Sequence, residues 1–193
     1  MPIRARFPIL AAVVLCALLG GCSVTSGLLP TQPPGVTQQL VIRSLERALA
    51  GLYVHRFAGR GVDVAVFAQW GNEAFVREFV MSWLRAHGVR TVSTEPELRL
   101  KVFATVLGTD RGETLIGLPS FQAPIVNVPF PEIALFKWSR NRGHAELRVF
   151  AFDGKTDAFV DQLPPGVGHS KSDDFTVLLF IGFSLSDLDK SVP

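Results

Sequence analysis

The stretch LRLKVFATV, residues 98–106, decides the fold of this 193-residue chain, because apolar residues occupy every second position in it. A period of two is that of a β-strand with one face buried and the other exposed. Arg99 and Lys101 fall on the exposed face. Residues 61–68 and residues 144–152 alternate in the same way. The sequence therefore predicts three half-buried strands.

Two helices are predicted before the central strand. Thr37 is the expected N-cap of the first helix, whose apolar stripe runs to Leu52, and Asn72 is the expected cap of the second. Gly88 ends the second helix, and residues 89–92 begin a further strand. The second helix carries its apolar residues at helical spacing: Phe75, Val76, Phe79, Val80, Trp83 and Leu84.

The second half of the chain is predicted to consist mostly of strands. Residues 153–156 form a turn, and residues 157–162 return as the second strand of a hairpin. Residues 175–183 are apolar on both faces, which predicts a central strand guarded by charged residues on either side: Asp173, Asp174, Asp187 and Asp189. We expect an α/β (α+β) fold, a two-layer domain with two helices packed on one side of a mixed, largely antiparallel sheet.

The first 36 residues predict where in the cell the protein is located. Residues 1–8 carry two arginines and no acid, and the apolar run over residues 9–19 is shorter than a spanning helix. The tetrad Leu19-Gly20-Gly21-Cys22 has the form of a bacterial lipoprotein processing site. It predicts a cleaved signal peptide over residues 1–21, lipid on Cys22, and a flexible linker over residues 22–36. Residues 37–193 are then a single globular periplasmic domain.

The predicted anchor limits the chemistry and the partners of that domain. Cys16 leaves with the leader and Cys22 carries lipid, so the mature domain has neither a free thiol nor a disulfide. Ser23 after the lipidated cysteine favours the outer membrane, with the domain facing the periplasm. The chain has 19 Lys and Arg residues against 17 Asp and Glu residues, and the leader removes Arg4 and Arg6. A neutral mature domain argues against nucleic acid as a partner.

The segment over residues 115–138 fits neither a helix nor an ordinary loop. Its four prolines forbid a helix and disfavour a central strand, yet it is too apolar for a usual exposed loop. Two interpretations stay open: an irregular loop tucked over the edge of the core, or a contact surface for a partner or for lipid. Residues 132–138 are expected to re-enter the sheet.

No catalytic motif survives inspection, and no cofactor is expected. Gly154-Lys155-Thr156 lacks the first glycine of a phosphate-binding loop and belongs to a hairpin. His169 and Ser170 lack the second glycine of a nucleophile elbow, so a loop is expected there and a hydrolase is the weakest hypothesis. The four histidines are scattered, which gives no metal-ligand spacing. Residues 137–142 are positively charged and are expected to form a solvated turn, with phosphate headgroups as an alternative use.

Five short clusters carry a resemblance. They are residues 108–111 (GTDR), 117–120 (GLPS), 131–137 (PEIALFK), 142–143 (RG) and 149–153 (VFAFD), and residues 131–137 are the most specific. With the first helix they cover most of the mature chain. They resemble an uncharacterised family of bacterial envelope lipoproteins built around a domain of unknown function. The resemblance implies an envelope lipoprotein and no particular activity.

The candidate interaction surface comprises Asp110, Arg111, Pro119, Ser120, Glu132 and Phe136. We expect Asp110 and Arg111 to end a strand, where a rigid scaffold displays polar groups or where a turn closes with a local ion pair. The first functional hypothesis is a non-enzymatic accessory or scaffold component of an envelope assembly. The second is a small apolar-ligand or lipid-binding module gated by residues 115–136. A flat exposed surface there favours the first, and an enclosed cavity favours the second.

Overall fold

The structure is a computed structural model that describes residues 35–69, 72–122 and 129–189. The predicted signal peptide, Cys22 and most of the predicted linker lie outside the described residues. The helices are α1 (Gly35–Ala50), a 3-10 turn (Val54–Phe57) and α2 (Glu73–Ala86). The strands are β1 (Gly61–Ala68), β2 (Arg90–Thr91), β3 (Leu98–Leu118), β4 (Phe121–Gln122), β5 (Pro129–Phe130), β6 (Ile133–Asp153), β7 (Phe159–Gln162), β8 (Gly166–Val177) and β9 (Ile181–Ser186).

One large mixed sheet carries most of these strands. Its order is β2-β1-β3-β6-β8-β9, with β7 paired to β6 beside this path. Strand β1 runs parallel to β2 and β3, and the remaining pairs are antiparallel. Strands β4 and β5 form a separate two-stranded ladder. The mixed α/β class with two helices is confirmed, and the predicted hairpin after residue 153 is present.

The core lies between the two helices and one face of the sheet. Alternate residues of the predicted strands are buried there, as the period of two requires: Val62 in β1, Leu100 in β3 and Leu147 in β6 are each at most 1% exposed. Leu45 and Leu49 of α1 and Val76 and Val80 of α2 belong to the same cluster.

The helix ends follow local sequence signals. Asn72 caps α2, since its side-chain oxygen accepts a hydrogen bond from the Phe75 amide at 3.1 Å. Gly88 follows the helix with φ +81°, a conformation that glycine adopts without strain. Helix α1 begins at Gly35, so it takes in the last two residues assigned to the linker and starts before the expected cap at Thr37.

Helix α1 lies directly on the backbone of β6 and β8. A methyl group at Gly168 would collide with the carbonyl oxygen of Ser44, and one at Gly166 would collide with that of Ala48. At Gly143 the same methyl would lie 2.5 Å from the Leu40 oxygen. Glycine at these positions is therefore a packing requirement.

Three sequence predictions are wrong, and in the first two strand pairing extends further than apolar patterning indicates. Residues 137–142 are part of β6 and not a solvated turn, and residues 168–172 are part of β8 and not a loop. Residues 175–183 are not a central strand. They comprise the end of β8, a turn in which Leu178 and Leu179 have positive φ, and the start of the edge strand β9.

Candidate functional site

Strands β3 and β6 are 21 residues each and continue past the helices. The Leu40 carbonyl of α1 lies against Gly143 of β6 and accepts a hydrogen bond from Ser170 Oγ of β8 at 2.7 Å. Beyond that point lie residues 110–118, 133–142, 171–177 and 181–186, which we call the distal sheet. It is built from two neighbouring hairpins, β3–β6 and β8–β9.

Register places the apolar residues of the distal sheet in rows on its outward face, the face opposite the helices. One row joins Ile116, Phe136, Val177 and Ile181, and the next joins Thr114, Trp138, Phe175 and Phe183. The ring centroids of Trp138 and Phe175 are 5.7 Å apart and those of Phe175 and Phe183 are 4.9 Å apart, both stacked. We call these seven apolar side chains the distal apolar surface: Ile116, Phe136, Trp138, Phe175, Val177, Ile181 and Phe183.

This surface is partly open to solvent, with Phe136, Trp138, Phe175 and Val177 half-buried. Ile116, Ile181 and Phe183 keep between 48% and 58% of their accessible area. The turn between β8 and β9 adds Leu178, Leu179 and Phe180, and Phe180 is 81% exposed. At the tip of the other hairpin, Phe121 and Phe130 stack at 4.9 Å and are also exposed. Contiguous exposed apolar area of this kind marks an interaction site.

Two rows that carry charged side chains border the distal apolar surface on the side toward the core: Gly112, Arg140, Asp173 and Leu185, then Asp110, Arg142 and Lys171. The Arg140 guanidinium lies 4.7 Å from the centre of the Trp138 ring. Arg142 binds Asp173 with an N–O distance of 2.7 Å. Burial alone raises the pKa of Asp173, but the hydrogen bond and charge of Arg142 outweigh it and hold that pKa below its ordinary value. These ionic contacts order the rim of the surface.

The helix-side face of the distal sheet is polar. Its rows contain Leu115, Lys137, Thr176 and Gly182, then Glu113, Ser139, Asp174 and Ser184, then Arg111, Asn141, Ser172 and Ser186, so Leu115 is the one large apolar side chain among them. Lys137 Nζ lies 2.8 Å from Glu132 and 3.2 Å from Glu113. The hydrogen bond that Lys137 donates to Glu132 is the main reason that the pKa of Lys137 is raised. The two faces of one sheet therefore differ sharply in polarity.

The candidate residues named from sequence do not form one cluster. Asp110 and Arg111 lie inside β3, opposite Arg142 and Asn141, and do not end the strand. Arg111 and Glu132 project to the polar face, whereas Phe136 belongs to the distal apolar surface. Pro119 and Ser120 are exposed between β3 and β4. The sequence predicted that β3 ends near Arg111. Because β3 continues to Leu118, the six candidate residues are spread along the hairpin and do not meet at one strand end.

The structure argues against one of the two interpretations of residues 115–138, the irregular loop tucked over the edge of the core. The described portion is neither a loop nor folded over the core. It forms the ends of β3 and β6 with the β4–β5 ladder between them, and its prolines stand at or near the tip, where no central ladder is broken. Residues 123–128, including Pro124, lie outside the described residues.

His169 and Ser170 do not form a hydrolase pair. They are consecutive in β8, so their side chains project to opposite faces. Ser170 is 2% exposed and is hydrogen-bonded to α1. His169 instead faces His144, with the two Nδ1 atoms 3.0 Å apart, and His144 Nε2 lies 3.3 Å from Asp110 Oδ2. Among residues 35–69, 72–122 and 129–189, no group of three or more His, Cys, Asp and Glu is placed to hold a metal ion.

An apolar groove of about 350 Å³ lies elsewhere, between the two helices. Its walls include Val41, Ile42, Leu45, Phe75 and Leu107. It is not beside residues 115–136, where a ligand pocket was expected. Neither described helix has the length and apolarity needed to cross a membrane.

Sequence reasoning missed Trp138, Phe175 and Phe183 as members of one site. Their signal was present, because apolar residues alternate over 136–138 and 181–185. It was hidden by the apolar turn Leu178-Leu179-Phe180, which merges two short alternating strands into one continuous apolar run. Only the pairing of β6, β8 and β9 brings the three rings together.

No protein-family model matches the chain, and no curated protein matches its sequence. The resemblance to an envelope lipoprotein family therefore stays a prediction, and the function is inferred from the geometry.

Proposed function

We propose that this chain is a lipid-anchored, non-catalytic accessory or scaffold protein of the bacterial cell envelope that docks through its distal apolar surface. The observation that supports docking is that apolar side chains of four neighbouring strands form one contiguous surface, about half exposed at Ile116, Ile181 and Phe183. A ligand-binding site would instead enclose such residues in a cavity. The anchor at Cys22 and the outer-membrane location are part of the same proposal.

Site-specific photo-crosslinking in native membranes tests the docking surface. A photoreactive residue at position 183 is compared with one at position 159, since Phe159 is also exposed, at 63%, but lies on β7. We expect a discrete adduct of fixed mass, with protein or with lipid, from position 183 only. Equal or absent adducts at both positions would contradict docking through this surface.

Mass spectrometry of the mature N-terminus tests the anchor. We expect cleavage before Cys22 and the added mass of its acyl chains. An unmodified Cys22 at the N-terminus, or an uncleaved leader, would contradict the proposed location.

A second candidate function is the binding of a small apolar ligand in the groove between α1 and α2. The groove is walled by aliphatic and aromatic side chains and its volume lies within the usual range of ligand sites. Val41→Trp is designed to fill it. Loss of binding of a fluorescent fatty acid in this variant, with wild-type binding in Phe183→Ser, would support this function.

A further inference from the structure

The distal sheet has an order of side chains along its outward face that matches the depth profile of a membrane interface. Aliphatic and aromatic residues stand at the hairpin tips and the Trp138 row follows. Two charged rows come next: Arg140 with Asp173, then Arg142 and Lys171 with Asp110. Successive rows are about 7 Å apart, because each is two residues further along a strand. Aromatic rings and cationic side chains prefer the headgroup level, with apolar groups below them.

The direction of α1 brings its N-terminus to the same end of the domain as the distal sheet. Ala48 lies against Gly166, Ser44 against Gly168 and Leu40 against Ser170, so α1 runs antiparallel to β8. The N-terminus of α1, at Gly35, therefore points toward the distal sheet. Residues 22–34 can span at most about 45 Å when fully extended.

We propose that the distal apolar surface inserts into the lipid bilayer, with its outward face against acyl chains and its charged rows at the headgroups. The proposal rests on the proposed function, because it names the partner of the same docking surface. The tips favour lipid over a protein groove because they are apolar at their leading end, where Leu178, Leu179 and Phe180 are all more than half exposed. The predicted linker keeps them within reach of the bilayer that holds the anchor.

Insertion has a consequence for the strand edges. Within the described residues, β9 has a strand partner on one side only, and so does β3 beyond residue 104. Unpaired backbone groups are not tolerated in hydrocarbon. Through the antiparallel order β3-β6-β8-β9, β9 runs opposite to β3, so β9 of one copy can pair antiparallel with β3 of the next. The inserted form is therefore an assembly of copies.

Depth-dependent fluorescence quenching tests insertion on the full lipidated chain. It is reconstituted in vesicles of phosphatidylethanolamine and phosphatidylglycerol in a Cys16→Ser background, where lipid blocks Cys22 and an introduced cysteine is the single thiol. An environment-sensitive dye is attached at Phe183→Cys, at the adjacent Ser184→Cys on the polar face, or at the remote Phe159→Cys. Lipids with a nitroxide on the acyl chain serve as the quencher.

We expect strong quenching of the dye at position 183, at least several times that at positions 184 and 159. Equal quenching at positions 183 and 159 would overturn insertion. If position 183 then still gives a protein adduct in the photo-crosslinking experiment, docking stands and only the lipid partner is wrong. Light scattering of the detergent-extracted protein measures the assembly, for which we expect several copies. A single copy together with quenching at position 183 would overturn the edge pairing.

Discussion

Asp187 and Arg47 join the end of β9 to helix α1. Asp187 Oδ2 lies 2.8 Å from Arg47 Nη1, while its Oδ1 accepts a hydrogen bond from the Lys171 amide at 2.9 Å. Both side chains are partly buried, with Arg47 23% and Asp187 16% exposed. The Asp187 carboxylate therefore links the β8–β9 hairpin to helix α1. From sequence, Asp187 was predicted only to be a charged residue that flanks an apolar strand.

Removing this contact should destabilise the fold. We expect Arg47→Ala to lower the free energy of unfolding by about 1–2 kcal/mol, because it leaves a partly buried carboxylate without its charged partner. Arg77→Ala is the matched control, since the Arg77–Glu73 pair is about half exposed and should contribute less than about 0.5 kcal/mol. Urea denaturation measures both. Equal effects of the two variants would argue against the role of Asp187.

The stabilising effect of Asp187 should disappear in acid. Burial raises its pKa, but the Lys171 amide and Arg47 lower it further, so the folded-state pKa lies below the ordinary 3.8. A carboxyl with a lowered folded-state pKa stabilises the protein above its unfolded-state pKa and loses that effect as pH falls through the folded-state value. We expect the stability difference between wild type and Asp187→Asn to be constant from pH 7 to 5 and to shrink below about pH 4. A constant difference down to pH 3 would contradict this linkage.

Two glycines of the sheet should differ in how strongly substitution by alanine destabilises the fold. Gly168→Ala forces its methyl group into the Ser44 carbonyl and should cost about 1–3 kcal/mol, or prevent folding, because the obstacle is helix backbone. Gly108→Ala meets nothing within 4 Å on the outward face and should change stability by less than about 0.5 kcal/mol. Thermal unfolding distinguishes them. Similar melting temperatures would mean that α1 does not lie on β8 as described.

Ser170 should matter for stability. Its hydroxyl donates to the Leu40 carbonyl in a buried site, so Ser170→Ala should lower the free energy of unfolding by about 1–2 kcal/mol. Ser184→Ala, at an exposed position, is the control and should have a smaller effect. Chemical denaturation gives both values. An unchanged midpoint for Ser170→Ala would show that the hydrogen bond contributes little.

Phe183 should be dispensable for folding and important for association. It stacks on Phe175 but is half exposed, so Phe183→Ser should cost no more than about 1 kcal/mol. The same change should raise the protein concentration at which light scattering first reports self-association. Phe159→Ser, elsewhere on the surface, should leave that concentration unchanged. An identical shift of that concentration in both variants would mean that self-association does not depend on the distal apolar surface.

The helices and strands that pack around the core were predictable, because the sequence patterns that indicate them are local. The period of two over residues 98–106 and 144–152, the helical spacing after Asn72 and the glycine at position 88 each report a structure that a few neighbouring residues decide. These elements pack around one core, so burial and periodicity agree. The distal sheet gave a weaker signal, because its apolar residues alternate without being buried and an apolar turn interrupts the pattern.

The sequence by itself determined which residues alternate, where α2 is capped and that the mature chain carries no thiol if Cys22 is lipidated. The tertiary structure decided how far β3 and β6 extend, that β9 is an edge strand, and that Trp138, Phe175 and Phe183 stack in one row. The physical reason is that alternation shows which side chains of one strand share a face, but it does not show which residues of the neighbouring strand lie beside them. Register between strands distant in sequence depends on pairing and on the close contact of α1 with Gly166 and Gly168, and both exist only in the folded chain.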